Sequence, residues 1–240
     1  MNEIRTLESM KHQNILTCFE FLHSTDYYFI VTELVHHGDI FQYYCDRQEA
    51  DEALFDEKQI QAVAKQLFSA LNHLHQNNIF HRDVKLDNLL LDGFGKNNEP
   101  LVKLSDFGFA VKLGDNEYPK DRVGTYYYMS PELILKKGYD YKSDVWGAMV
   151  TIYALIYGNL PFYGESFKEV SSEILNYDMQ KEIKTDPQWQ NASYWIKDFF
   201  SKGFQKDPKN RPTAQQMLNH PWLRSINLPE PMPVIAETFA

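Results

Sequence analysis

The hydrophobic positions change period along the chain. Leu16 to Phe21 and Tyr27 to Leu34 are dense in aromatic and aliphatic residues, with the polar HSTD between them, which predicts two paired strands. Ahead of them Ile4, Leu7 and Met10 recur at helical spacing with Glu3 and Glu8 among them, predicting a short amphipathic helix over residues 1 to 11. From Phe41 to Cys45 the pattern turns helical. Gln59 to Gln76 then places Ile60, Val63, Ala64, Leu67, Leu71 and Leu74 on one face of a long helix. Two short strand candidates follow, Asn88 to Leu91 and Leu101 to Leu104, separated by the turn-prone DGFGKNNEP. Beyond them helices are predicted over Lys142 to Tyr157, Phe167 to Leu175, Ala192 to Lys202 and Thr213 to Leu218. Strands early and helices late predict an α+β chain, a small strand-bearing part set on a larger helical one. Leu228 to Val234, LPEPMPV, predicts an extended tail.

Composition narrows the classes. The longest uncharged apolar run, Val145 to Phe162, is broken by Gly147, Gly158, Asn159 and Pro161, so it predicts a buried core helix and not a membrane span. Lys+Arg 24 against Asp+Glu 33 gives a net charge of −9 without a basic stripe, which argues against a nucleic-acid partner. Cys18 and Cys45 are too few for a disulfide framework, and MNEIRTLESM contains no apolar signal-like run; the expected setting is intracellular, in the cytoplasm.

The candidate chemistry lies between residues 81 and 132. His81-Arg82-Asp83-Val84-Lys85-Leu86-Asp87-Asn88 is followed by Asp106-Phe107-Gly108 and then by Ser130-Pro131-Glu132. Singly, each has an ordinary reading: Asp83 as a helix cap, Asp144 as an acid in the first turn of a helix, Leu90 as a strand residue facing a core. In this order and spacing the sequence resembles the eukaryotic protein kinases, from Glu3 to Trp222. The resemblance implies a kinase-like fold, with residues 1–36 a remnant of the N-terminal lobe carrying one helix and two strands, 37–223 the C-terminal lobe and 224–240 a tail. It implies ATP and Mg²⁺ as cofactors and protein Ser/Thr hydroxyls as acceptors. Asp83 would orient the substrate hydroxyl and take its proton, and Lys85 would place a positive charge on the transferring phosphoryl group. Asn88 and Asp106 would supply oxygen ligands for Mg²⁺, with Phe107 and Gly108 completing the motif. Thr125 would bond Asp83 and Lys85, Glu132 and Arg211 would form a buried ion pair, and Asp144 would accept backbone N–H groups of the catalytic loop. Around the base, Thr32 would guard the back of the pocket, Glu33 and Val35 would offer backbone groups, Asp39 would reach the ribose and Leu90 would form the floor.

Two family parts are not in the 240 residues. No GxGxxG occurs and no V-A-I-K-like strand precedes Glu3, which leaves Glu3 without its lysine. The expectation is a chain cut from a longer kinase, weak or inactive by itself; the alternative is a catalytically dead, kinase-like interaction protein. A nucleotide-binding GxxxxGK[ST] loop is absent too. Within the family the chain is similar to the calcium/calmodulin-dependent and calcium-dependent kinases, through HGDIF, HRDVKLDNLLLD, VKLSDFGFA, GYDYKSDVWGAMVTIYALIYGNLPF and LNHPWL. No EF-hand loop and no basic amphipathic target follow Trp222, so neither calcium nor calmodulin control is expected within this chain. By the same resemblance, Asp39 and Asp87 would face an Arg about three residues before the acceptor. Phe109 to Gly124, FAVKLGDNEYPKDRVG, holds no Ser or Thr, so Asp115, Glu117 or Asp121 would give Arg82 its counter-charge, with Tyr118 the one other modifiable hydroxyl.

Overall fold

In the computed structural model, residues 11–114, 118–189 and 192–224 are described. Glu3 and the helix expected at the start, Asp115 and Glu117, and the Pro-containing tail from residue 225 lie outside them. The last element among the described residues is a helical turn, Pro221–Arg224.

The long helix predicted from the 3.6-residue period runs Glu57–Gln76. Asp56 caps it: its carboxylate accepts from the Gln59 N–H while the Gln59 side chain returns to the Asp56 N–H, satisfying two of the orphan donors at the helix start. All six predicted face residues are at most 4% exposed. Against this helix packs Lys142–Tyr157, whose residues Asp144 through Leu155 are buried on every side. That burial explains why a helix so apolar belongs in the lobe's centre, and among the described residues no helix is long and apolar enough to cross a membrane. Gly158 stops it in the left-handed conformation at φ 70°, where a glycine meets no Cβ penalty.

In chain order the elements are β1 (Cys18–His23), β2 (Tyr28–Thr32), α1 (Ile40–Glu49), α2 (Glu57–Gln76), β3 (Ile79–Phe80), β4 (Leu89–Phe94), β5 (Pro100–Leu104) and β6 (Val111–Lys112). After them come α3 (Pro131–Ile134), α4 (Lys142–Tyr157), α5 (Phe167–Asn176), α6 (Met179–Thr185), α7 (Tyr194–Gly203), α8 (Ala214–Leu218) and α9 (Pro221–Arg224). The strands pair as three antiparallel two-stranded ribbons, β1 with β2, β3 with β6 and β4 with β5. The two predicted hairpins are therefore present, with shifted ends. β4 continues through Asp92 to Phe94, which the sequence reads as turn, because the register slips at Gly93, a residue at φ 116°. The β1–β2 ribbon shows its large apolar residues to solvent, with Phe19 64%, Tyr28 81% and Ile30 63% exposed. Below it a continuous core joins α2, α4, β4 and β5 to the later helices.

Candidate active site

The β4–β5 ribbon sets the site's register. Leu89 pairs with Leu104, and one step further out the Asn88 carbonyl accepts from both the N–H (2.8 Å) and the hydroxyl (3.1 Å) of Ser105. Asn88 and Asp106 therefore leave the open end of one hairpin side by side. Asn88 turns its Nδ2 inward, donating to the Asp83 carbonyl (2.7 Å) and to Asp83 Oδ2 (3.1 Å). Asp106 is exposed at φ 55°, with Oδ1 accepting from the Gly108 N–H at 3.1 Å. Phe107 is half-buried and meets the His81 ring edge-on, centroids 4.9 Å apart.

Asp83 is the hub. Its carboxylate, 2% exposed as a side chain, accepts at Oδ1 from the N–H (2.8 Å) and the hydroxyl (3.0 Å) of Thr125. At Oδ2 it meets Lys85 Nζ at 3.1 Å, and Lys85 in turn donates to the Thr125 hydroxyl at 2.9 Å. Burial alone would raise the Asp83 pKa, but the Thr125 and Lys85 donors outweigh it and hold the group below its ordinary value. The carboxylate stays charged at neutral pH.

The loop carrying these residues is fastened from beneath. Asp144, in the first turn of α4, accepts the His81 N–H (3.0 Å) and the Arg82 N–H (2.8 Å). It also accepts from His75 Nε2 at 2.9 Å, and these donors hold its pKa down against the opposing effect of burial. His81 donates through Nε2 to the Ser105 carbonyl (2.9 Å) and accepts at Nδ1 from the Asp83 N–H (3.3 Å). Burial lowers its pKa and keeps that imidazole neutral, and the two hydrogen bonds set the tautomer. Arg82, at φ 69°, spreads its guanidinium to Asp121 (2.9 Å), the Tyr139 hydroxyl (3.2 Å) and the Phe109 carbonyl (2.5 Å). Further out Glu132 and Arg211 form a bidentate pair at 2.7 and 2.9 Å, both buried, with the guanidinium over Trp146. Two glycines permit the crowding: a Cβ on Gly124 would stand 2.4 Å from the Arg82 carbonyl, and one on Gly147 3.1 Å from that of Val84.

The residues expected around the base are brought together less completely. The Glu33 carboxylate accepts from the Thr17 N–H (2.6 Å) and pairs with Lys103 (3.2 Å), which pins the segment joining the β1–β2 ribbon to the helical lobe. Val35 is half-buried. Leu90 does not face the core: Leu89 and Leu91 are buried, and Leu90 points to the other side of the ribbon, where it bridges to Asp39. Asp39 Oδ1 caps α1 by accepting from the Gln42 N–H at 2.8 Å, so one oxygen of the expected ribose ligand is already engaged. Sequence reasoning missed His75, on α2, and Tyr139, ahead of α4, which reach the loop from outside the stretch between residues 81 and 132.

Residues 1–223 match the protein kinase domain family. The chain belongs to the protein kinase family. It is 33% identical over 221 residues to a probable myosin light chain kinase of Dictyostelium discoideum, covering 92% of this chain and 54% of that protein. It is likewise 33% identical over 243 residues to calcium-dependent protein kinase 3 of Plasmodium berghei (strain Anka), covering 99% of this chain and 42% of that protein. This kinase chain thus spans about half the length of the curated relatives it matches. Family members use ATP with Mg²⁺, and the donor set here fits such a metal. Asn88 and Asp106 offer two hard oxygen donors at one hairpin end, which suits a cation that keeps water and phosphate oxygens in its remaining positions.

Proposed function

We propose that the chain is the catalytic domain of a serine/threonine protein kinase, with Asp83 as the base that orients the acceptor hydroxyl. The observation that carries this is the closed circuit of Asp83, Lys85 and Thr125, with Asn88 joined to it at Asp83 Oδ2, the contacts running from 2.9 to 3.1 Å. A chain without phosphoryl transfer has no physical need for all four in that arrangement. Of the two carboxylate oxygens, Oδ2 has the two longer contacts, both 3.1 Å, and is the one that yields to a substrate hydroxyl. Lys85 then leaves Oδ2 for the transferring group, while Thr125 keeps Oδ1 in place. Bound Mg-ATP supplies the phosphoryl group and the metal's charge, which Asn88 and Asp106 hold on the hairpin side. Glu33, Val35, Asp39 and Leu90 line the nucleotide side. Arg82 with Asp121 holds the segment between Phe109 and Gly124 without a phosphorylated Ser or Thr.

The acceptors are protein hydroxyls, with Arg preferred upstream, facing Asp87 and the free oxygen of Asp39. Because the 240 residues contain no glycine-rich loop and no V-A-I-K-like lysine strand, turnover by this chain alone is weak or absent. The test is transfer of labelled γ-phosphate to a Ser/Thr peptide by the chain, alone and fused behind a glycine-loop and lysine-strand segment, beside Asp83→Asn. Transfer that Asp83→Asn leaves unchanged rejects the assignment; no transfer from either form favours the interaction-protein reading.

A further inference from the structure

α5 divides its surface sharply by charge. Val170 and Ile174 face the core, and Glu169 and Glu173 occupy another face, where Glu169 accepts from the Glu165 N–H at 2.8 Å. The face turned toward α3 forms an open groove of about 540 Å³ with no acidic residue among the described residues of its lining. That is unusual on a chain of net charge −9. Its floor is apolar and accessible, with Leu135 45% and Phe167 36% exposed and Leu175 between them. Two cations border it, Lys168 and Arg122, the latter stacked 5.1 Å above the Phe167 ring and anchored to the Ile134 carbonyl. Lys136 and Lys137 follow Leu135 directly.

The groove lies beside the segment that carries Thr125. The Phe167 ring meets Tyr126 edge-on at 6.4 Å, and Tyr126 follows Thr125, whose hydroxyl is 3.0 Å from Asp83. A polypeptide with its acceptor at Asp83 needs only a few extended residues to reach Phe167, at roughly 3.3 Å per residue.

We infer that this groove docks a second segment of the protein substrate, acidic and carrying an apolar side chain, a reading that rests on the kinase function proposed above. The apolar side chain seats on Leu135 and Phe167, and carboxylates meet Lys168 and Arg122, so the groove selects substrates by a segment apart from the acceptor residue. Charge of this kind at a rim acts mainly on encounter and salt dependence, and burial of the apolar anchor supplies the lifetime.

The test uses the chain carrying Asp83→Asn, so that binding is read without turnover, and fluorescein-labelled Ser peptides. Each peptide carries a Glu-Leu-Glu segment two to ten residues from the Ser on either side, with Gln-Ala-Gln as control. Anisotropy should show at least about tenfold tighter binding for one spacing, weakening as salt rises. Phe167→Ala should erase the gain. Lys168→Glu should reverse it and prefer Lys-Leu-Lys; an acid at that exposed first-turn position suits the helix dipole, so the variant folds. The inference is overturned if no spacing tightens binding, if Lys168→Glu keeps the same preference, or if light scattering shows that the groove instead joins two copies of the chain. A docking gain in a chain that transfers no phosphate even when fused behind a glycine-loop and lysine-strand segment supports the groove and rejects the kinase reading.

Discussion

Thr125 holds Asp83 by two bonds to a single oxygen, one from its backbone N–H and one from its hydroxyl. The same hydroxyl receives Lys85, so one side chain sets the separation between the base and the cation. Thr125→Val keeps the shape and the backbone bond but removes the link to Lys85. Turnover of the chain fused behind a glycine-loop and lysine-strand segment should fall on the order of ten- to a hundredfold, with KM for peptide little changed, as expected when positioned groups lose registration. Thr125→Ser should recover most of it. Equal rates for Val and Ser would show that the hydroxyl has no part in positioning.

The Glu132–Arg211 pair makes a stability prediction with a defined sign. Burial would raise the Glu132 pKa, but the Arg211 contacts outweigh burial and hold it below the ordinary value of 4.5. A carboxylate with a depressed folded-state pKa contributes stability that is fully present above the unfolded value and is lost as pH falls through the folded one. Thermal melts of the wild-type chain should therefore weaken from about pH 4.5 downward. Arg211→Ala leaves a buried charge unpaired and should cost about 3–5 kcal/mol at neutral pH. Its melting temperature should fall less steeply with acid than the wild type's, because protonation then relieves the stranded carboxylate.

Gly124 is a second point where backbone and site meet. Its φ is 91°, and a Cβ there would lie 2.4 Å from the Arg82 carbonyl, which leaves no room for alanine. Gly124→Ala should cost about 1–3 kcal/mol by urea unfolding and displace the adjoining Thr125 from Asp83. A chain that keeps wild-type stability and activity would show that this segment has another accessible path.

Much of this was legible because phosphoryl transfer restricts residue types. Asp83, Lys85, Asn88, Asp106 and Thr125 stand out in the sequence, and the fold brings them to one hairpin end and one loop. The roles of His75 and Tyr139 were not legible, since each reaches its partner across 57 to 69 positions and nothing beside it in the chain points to that partner. The α6 helix was missed for a different reason. In MQKEIKT only Met179 is buried, so the apolar period is absent, and the helix start rests on the Asp178 side chain accepting from the Gln180 and Lys181 N–H groups. Leu90 shows the limit of strand periodicity, which gives alternation but not which face meets the core.

Substrate preference follows from two acids in unequal settings. Asp87 is exposed in the turn before β4, whereas Asp39 has one oxygen engaged as a helix cap. Asparagine caps as well as aspartate, so Asp39→Asn removes charge without disturbing α1. On a peptide array the chain fused behind a glycine-loop and lysine-strand segment should favour Arg about three residues before the acceptor. Asp87→Asn and Asp39→Asn should each reduce that preference, by about tenfold if the pairs are partly desolvated. An array without basic preference in the wild type would retire the idea.

The last prediction concerns Arg82 and Asp121. The guanidinium joins the catalytic loop to the Phe109 carbonyl, to Tyr139 ahead of α4 and to Asp121, closing a bridge across the segment that leads to Thr125. No Ser or Thr lies between Phe109 and Gly124, and Asp121 already provides the negative charge that a phosphate would otherwise bring. Its carboxylate is 53% exposed, so solvent screening limits what the pair adds to global stability to less than about 1 kcal/mol. The effect belongs instead to the position of Thr125 and hence of Asp83. Asp121→Asn should leave the melting temperature within about 2 °C of wild type, as expected for so small a change. It should nevertheless lower kcat several-fold, with the gap to wild type narrowing at high salt, where the Arg82–Asp121 attraction is itself screened. Phosphatase treatment of the fused, otherwise wild-type chain should leave activity intact. If phosphatase abolished activity and the lost phosphate mapped to Tyr118, the counter-charge would be a modification and not Asp121. If Asp121→Asn retained full kcat, the pair would be an ordinary surface contact, and the segment would be held by Tyr139 and the Phe109 carbonyl alone.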